Sequence, residues 1–114
     1  MRPESAALLW DVRAAAERIG TFVSGLTEAT YRADELRKSA VERQLEVLGE
    51  ALKNLRSADP DTAAAIPDLA RIIGMRNVLA HAYAVVDDGV VWEAATTKVP
   101  ALVAIVDGLL ADVE

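Results

Sequence analysis

Leu8, Val12, Ala15, Ile19, Phe22 and Leu26 fall at alternating four- and three-residue steps, which predicts a helix over residues 4–26 with one apolar stripe. Gly20 lies inside that pattern and costs about 1 kcal/mol relative to alanine, so the spacing allows a bend there or an end near Gly25. Val41, Leu45, Leu48, Leu52 and Leu55 repeat the same steps within residues 30–56, with Glu42, Arg43, Glu46, Glu50 and Lys53 largely off the stripe. This segment predicts the longest helix.

Residues 57–65, SADPDTAAA, carry Pro60 between two aspartates and read as a connection. Pro67 suits the first turn of a third helix, whose apolar face is Ile66, Leu69, Ile72, Ile73, Met75 and Leu79. Asp87, Asp88 and Gly89 mark a turn. The following VVWEAATT has the composition of a short strand, but its helical context favours helix. Thr97 is expected to cap a last helix, with Pro100 in its first turn and Leu102, Val106, Leu109 and Val113 as its stripe. No internal repeat and no alternating strand series interrupts these patterns. The expected fold is therefore all-α: a single domain over residues 1–114, built as an antiparallel bundle of four helices. Its alanine-rich apolar surface leaves room for a stripe to face a second copy, so a homodimer is expected.

Composition narrows the chemistry. The chain has 114 residues, 53% of them hydrophobic and 26% charged, enough for one modest core and too apolar for a disordered chain. No run of about 18 apolar residues predicts a spanning helix, and nothing at the start predicts a signal peptide, so a cytoplasmic protein that does not enter membranes is expected. There is no cysteine and a single histidine, which removes disulfides, thiolate zinc sites and thiol catalysis, and leaves no expectation of a bound metal or other cofactor. Twelve Lys and Arg against eighteen Asp and Glu give a net charge of −6, so nucleic acid would have to be gripped by a local basic site. The candidates are the run Arg32, Arg37, Lys38 and Arg43, and the pair Arg71 and Arg76.

The single histidine, His81, lies in the segment RNVLAHAY, residues 76–83. At about 100° per residue, Arg76 and Tyr83 return to one helix face, whereas His81 points roughly 140° away from Arg76. Cooperation among the three therefore requires the helix to end or distort near His81, or another helix or subunit to complete the site. Their chemistry suits metal-free cleavage of a phosphodiester. Arginine offers a planar fork for phosphate oxygens, histidine moves a proton near neutral pH, and a phenol donates a hydrogen bond or accepts a covalent group. An RNA 2′-hydroxyl would be the nucleophile, so DNA should be resistant.

Arg, four residues, His, one residue, Tyr is the signature of the HEPN superfamily. The flanks MRNVLAHAY, VDDGVVWEAA and KVPAL, with VERQLEVLGEALKNL upstream, resemble its HepT-like branch over nearly the whole chain. The resemblance implies a four- to five-helix bundle that dimerises and brings two copies of the motif into one cleft. It also implies the toxin of a bacterial toxin–antitoxin pair, a ribonuclease acting on RNA with Arg76 and His81 catalytic. The implied antitoxin is an MntA-like nucleotidyltransferase that uses ATP and Mg to transfer AMP onto Tyr83. Nucleotidyl phosphates on that tyrosine would occupy the place of RNA phosphate and add repulsive charge.

Each residue also has a plainer role open to it. His81 could serve only the helix end, where its charged form suits the dipole. Arg76 could be a surface ion-pair residue with Asp68 or Glu50, and Tyr83 could fill a groove beside Trp92. Asn77 could bind phosphate or brace the backbone; Glu50 could orient Arg76 or His81, or lie on a solvated face. Trp10 and Trp92 are expected in the core or at a dimer seam. The basic run from Arg32 to Arg43 is expected to be a solvated face, or else to guide RNA or meet an acidic partner. The competing function is a noncatalytic helical partner that binds a nucleotidyltransferase or nucleotide, a reading that the net acidity favours.

Overall fold

A computed structural model describes residues 1–81 and 85–112 of the chain. Helix α1, Pro3–Val23, opens with Pro3 in its first turn and runs through Gly20 without a break. It buries Leu9, Val12, Ala15, Ala16 and Ile19, and the chain turns away at Gly25, whose φ of 78° suits glycine.

The segment expected as one helix over residues 30–56 is two. Helix α2, Glu28–Arg32, starts from a reciprocal cap between Thr27 and Thr30, and helix α3, Glu35–Ala58, starts at Asp34. The Asp34 carboxylate accepts the Arg37 backbone N–H at 3.0 Å, so a side chain replaces the helical partner and resets the axis. All five stripe residues of α3, Val41, Leu45, Leu48, Leu52 and Leu55, are buried. They pack against α1 to form the principal helix pair. The pair is antiparallel: Ser5 meets Asp59 at one end, and Arg37 donates to the Phe22 carbonyl at the other.

Pro60 opens a short helix, α4, Pro60–Ala63, within the expected connection. Helix α5, Leu69–Ala80, begins two residues beyond Pro67. Pro67 does not occupy its first turn, because Asp68 adopts left-handed backbone at φ 58°, a conformation aspartate tolerates, and α5 starts only after it. Helix α5 packs mainly on α3.

Residues 88–111 form one 24-residue rod: α6, Asp88–Glu93, a π-helical segment, Ala94–Lys98, and α7, Val99–Ala111. The VVWEAATT segment is thus helical. Thr97 caps nothing, since the rod does not restart there. Pro100 has no N–H to offer the helix, and the widened π turn immediately before it accommodates that loss. By length and composition alone this rod is apolar enough to cross a membrane, a test that the core helix of a bundle also passes. Here it is a wall of the bundle: Val99, Leu102, Val106 and Leu110 are buried, and Asp107 bonds Arg13 of α1 at 2.8 Å. Of its expected stripe, Val113 lies outside the described residues. Among the described residues there is no strand, and the all-α expectation holds.

Two joints fix the ends of the bundle. Asp59 closes α3 and caps α4, accepting from Thr62 and from the buried Ser5 hydroxyl of α1. At the opposite end the Trp92 ring lies 5.3 Å from that of Tyr31, which is fully buried and ties α6 to α2. Trp92 is partly buried in this contact. Trp10, expected in the core or at a seam, is 59% exposed and belongs to no core.

Candidate active site

Gly49 sets where the motif helix sits on α3. A Cβ built on Gly49 would overlap the Cβ of Arg76 and lie 2.8 Å from its Cγ, so only glycine permits α3 and α5 to approach there. The approach brings the Arg76 guanidinium beside the next residue of α3. Arg76 Nη2 lies 2.5 Å from Glu50 Oε2, and Nη1 donates to Asn77 Oδ1 at 3.0 Å. The Nε is buried and makes no hydrogen bond among the described residues. Arg76 is thus held between two neighbours, by an ion pair with Glu50 and a hydrogen bond to Asn77. Its side chain remains 24% exposed, enough to meet a ligand at the surface.

The exposed part opens into a groove of about 390 Å³ between α1 and α3. Asp11 and Arg18 line it from α1, and Arg43, Glu46 and Glu50 line it from α3, with Arg76 at its edge. On its other flank, α5 borders a second groove of about 530 Å³, lined by Ile72, Met75, Val90, Leu102 and Ile105 and rimmed by Arg71 and Lys98. One side of the motif helix is therefore charged and the other apolar.

Helix α5 ends at Ala80. His81 is its C-terminal cap, with extended backbone (φ −89°, ψ 117°), its N–H donated to the Val78 carbonyl at 3.1 Å. The side chain is exposed and is not among those lining either groove. The structure therefore brings Arg76, Asn77 and Glu50 together and sets His81 at the end of the same helix. Tyr83, expected as the modified residue or as a neighbour of Trp92, lies outside the described residues. Of the two ion pairs open to Arg76 in the sequence, the one with Glu50 forms. Three apolar side chains on and after α5 are solvent-exposed: Val78 is 47% exposed, Val85 94% and Val90 51%.

The basic run does not act as a patch. Arg32 pairs with Glu28, Arg37 donates to the Phe22 carbonyl, and Lys38 bridges Glu35 and Asp88. Only Arg43 reaches the groove of Arg76, where Arg18 of α1, unremarkable in sequence, joins it. The Lys38 pair with Asp88, at 3.0 Å, pins the start of α6 and raises the ammonium pKa above its usual value. Nearby, burial raises the Glu42 carboxyl, with Asp88 adding to it, and raises the Tyr31 phenol. Among the described residues no cluster of His, Asp or Glu is arranged to hold a metal ion.

An all-helical bundle with Arg76 and His81 on the last turns of one helix belongs to a recognisable class of protein. The family model described as "Ribonuclease HepT-like" matches residues 12–109, and the chain belongs to that family. It is similar to "Probable ribonuclease HepT" of Thermococcus cleftensis, 34% identical over 96 residues that cover 82% of this chain and 84% of that one. It is also similar to "Putative RNase MJ1216" of Methanocaldococcus jannaschii, 31% identical over 108 residues covering 95% and 88%. "Putative RNase MJ0127" of the same organism is 29% identical over 110 residues, again covering 95% and 88%. No solved structure matches the chain significantly.

Proposed function

We propose that this protein is a cytoplasmic, metal-independent endoribonuclease and the toxin of a toxin–antitoxin pair, acting as a homodimer through Arg76 and His81. The observation that carries it is the Arg76 guanidinium, aimed by Glu50 and Asn77 at a groove edge on the helix that ends at His81.

In this reading a neutral imidazole takes the proton of an RNA 2′-hydroxyl, and that oxygen forms a bond to the adjacent phosphorus. The bond to the 5′-oxygen breaks, the leaving oxygen takes up a proton, and a 2′,3′-cyclic phosphate remains. Arg76 donates to the nonbridging oxygens, where charge accumulates in the transition state. The reaction needs a base and an acid, and each chain has one histidine. A dimer in which two His81 side chains share a cleft supplies both. The apolar groove beside α5 and the exposed Val78, Val85 and Val90 offer the surface for such pairing.

Control falls to Tyr83. An MntA-like nucleotidyltransferase using ATP and Mg would transfer AMP to its hydroxyl, releasing pyrophosphate. The added phosphate would repel RNA from the same cleft. Purified protein free of any antitoxin should cleave RNA in the presence of EDTA, leave DNA intact, and lose cleavage on Arg76→Ala or His81→Ala. Full activity in both variants would sink the assignment. With an MntA-like nucleotidyltransferase, ATP and magnesium, the mass should rise by one or more AMP units in the native chain and not in Tyr83→Phe.

A further inference from the structure

We infer that the groove between α1 and α3 is the path of the RNA strand away from the cleavage point, with Arg18 and Arg43 as its phosphate-binding residues. For the identity of its ligand the inference rests on the ribonuclease reading.

The direction follows from what borders α5. On one flank the groove floor is apolar, and its rim cations Arg71 and Lys98 are matched by Asp68 and Glu93, so a polyanion gains little by lying there. On the other, Arg76 opens directly into the groove that holds Arg18 and Arg43. Because α1 and α3 are antiparallel, with Ser5 beside Asp59 and Phe22 beside Arg37, Arg18 comes level with Arg43, and Asp11 with Glu50. Arg43 precedes Glu50 by seven residues, two helical turns, or about 10 Å along the axis. Two cationic side chains thus stand about 10 Å from the Glu50–Arg76 pair, at the far end of one groove.

The rest of the charge pattern makes this groove specific. Arg32, Arg37 and Lys38 are engaged elsewhere, whereas Arg18 is exposed and makes no ion pair among the described residues. Arg43 bonds Glu46 at 2.7 Å, but its side chain is 68% exposed, and an exposed pair of this kind is worth only about 0.2–1 kcal/mol. A phosphate can displace it. Asp11 and Glu46 oppose the strand, so binding depends on both arginines being present and stays sensitive to salt.

A fluorescently labelled 2′-O-methyl RNA dodecamer, which lacks the nucleophile, isolates binding from cleavage. In anisotropy titrations, Arg18→Ala/Arg43→Ala should weaken binding at least tenfold. It should also flatten the dependence of log Kd on log salt by about 1.4, since each single-strand phosphate contact contributes about 0.7. Arg18→Lys/Arg43→Lys should keep the slope, and Asp11→Asn/Glu46→Gln should tighten binding. Unchanged affinity and slope in the double alanine variant, with an unchanged melting curve, would overturn the groove assignment. Cleavage of the unmodified dodecamer separates the two readings. If the native chain binds through these arginines but cuts nothing, the nuclease reading fails and the groove stands. If it cuts and the double variant shows the same KM, the groove fails and the nuclease stands; the expected loss in kcat/KM falls on KM.

Discussion

Gly49 of α3 lies directly against the Cβ of Arg76 of α5, with no room for even a methyl group between them. Gly20 of α1 offers the control, since nothing lies within 4 Å of where its Cβ would be. Gly49 is central in α3 and Gly20 lies in the last turn of α1, both helical positions where alanine is intrinsically favoured, by up to about 1 kcal/mol. Gly20→Ala should raise the melting temperature, with a gain of about 0.5–1 kcal/mol. Gly49→Ala should instead cost about 1–3 kcal/mol as α5 is pushed off α3. Chemical denaturation of the two variants in parallel checks the opposite signs.

The Glu50 carboxylate is placed to orient Arg76, and removing it separates aim from attraction. Glu50→Gln keeps the shape but loses the charge that holds the guanidinium at 2.5 Å. Misplacing a catalytic group by about 1 Å costs on the order of a hundredfold, so kcat for RNA cleavage should fall about 10- to 100-fold. Removing one negative charge from the groove should at the same time leave binding of the 2′-O-methyl RNA as tight or tighter. A parallel loss of binding would show that Glu50 supports the groove and does not aim Arg76.

What could be read from the sequence follows the range of the interactions. The stripe of α3 is a local spacing, and all five of its residues are buried. The break at Ala33–Asp34 was hidden because it depends on one side-chain cap overriding a helical pattern that continues on both sides. Pro67 and Thr97 carry start signals that the chain does not use, since Asp68 and the π turn before Pro100 decide those boundaries. Arg76, Asn77 and Glu50 were visible as chemistry, but their meeting depends on the Gly49 contact between two helices. The run from Arg32 to Arg43 looked like one basic face and is not. Its members lie on two helices and find different partners, while Arg18, whose neighbours in sequence gave no hint, shares the groove.

Glu42 is a charge the fold holds at a disadvantage. Burial raises its carboxyl pKa, and Asp88 adds to that. A carboxyl whose folded pKa exceeds its unfolded one contributes stability while protonated and loses it as pH rises through the folded value. At pH 7 the ionised Glu42 is therefore unfavourable, and Glu42→Gln should raise the melting temperature. The gain should shrink as pH falls through the raised value and be gone below the ordinary 4.5, where the carboxyl is protonated in both states. Lys38, which pairs with Asp88, works in the opposite sense, so Lys38→Met should lower the melting temperature at pH 7.

Asp59 gives acid sensitivity of the other sign. Hydrogen bonds from the Thr62 hydroxyl at 2.6 Å and the Ser5 hydroxyl at 2.7 Å, with the Thr62 N–H, hold its carboxyl pKa down to about 2 from an ordinary 3.8. A depressed carboxyl contributes stability that is fully present above the unfolded pKa and is lost as pH falls toward the folded one. The window is therefore about pH 4 down to about 2. Because this one carboxylate caps α4 and receives the Ser5 hydroxyl of α1, its protonation loosens a joint between elements as well as a helix end. Asp59→Asn should melt lower than the native chain at pH 7, and the gap should narrow as pH falls through that window. Ser5→Ala should show a smaller deficit, since the Thr62 contacts survive. A native chain whose melting temperature falls no faster than that of Asp59→Asn between pH 4 and pH 2 would assign its acid sensitivity to other carboxylates.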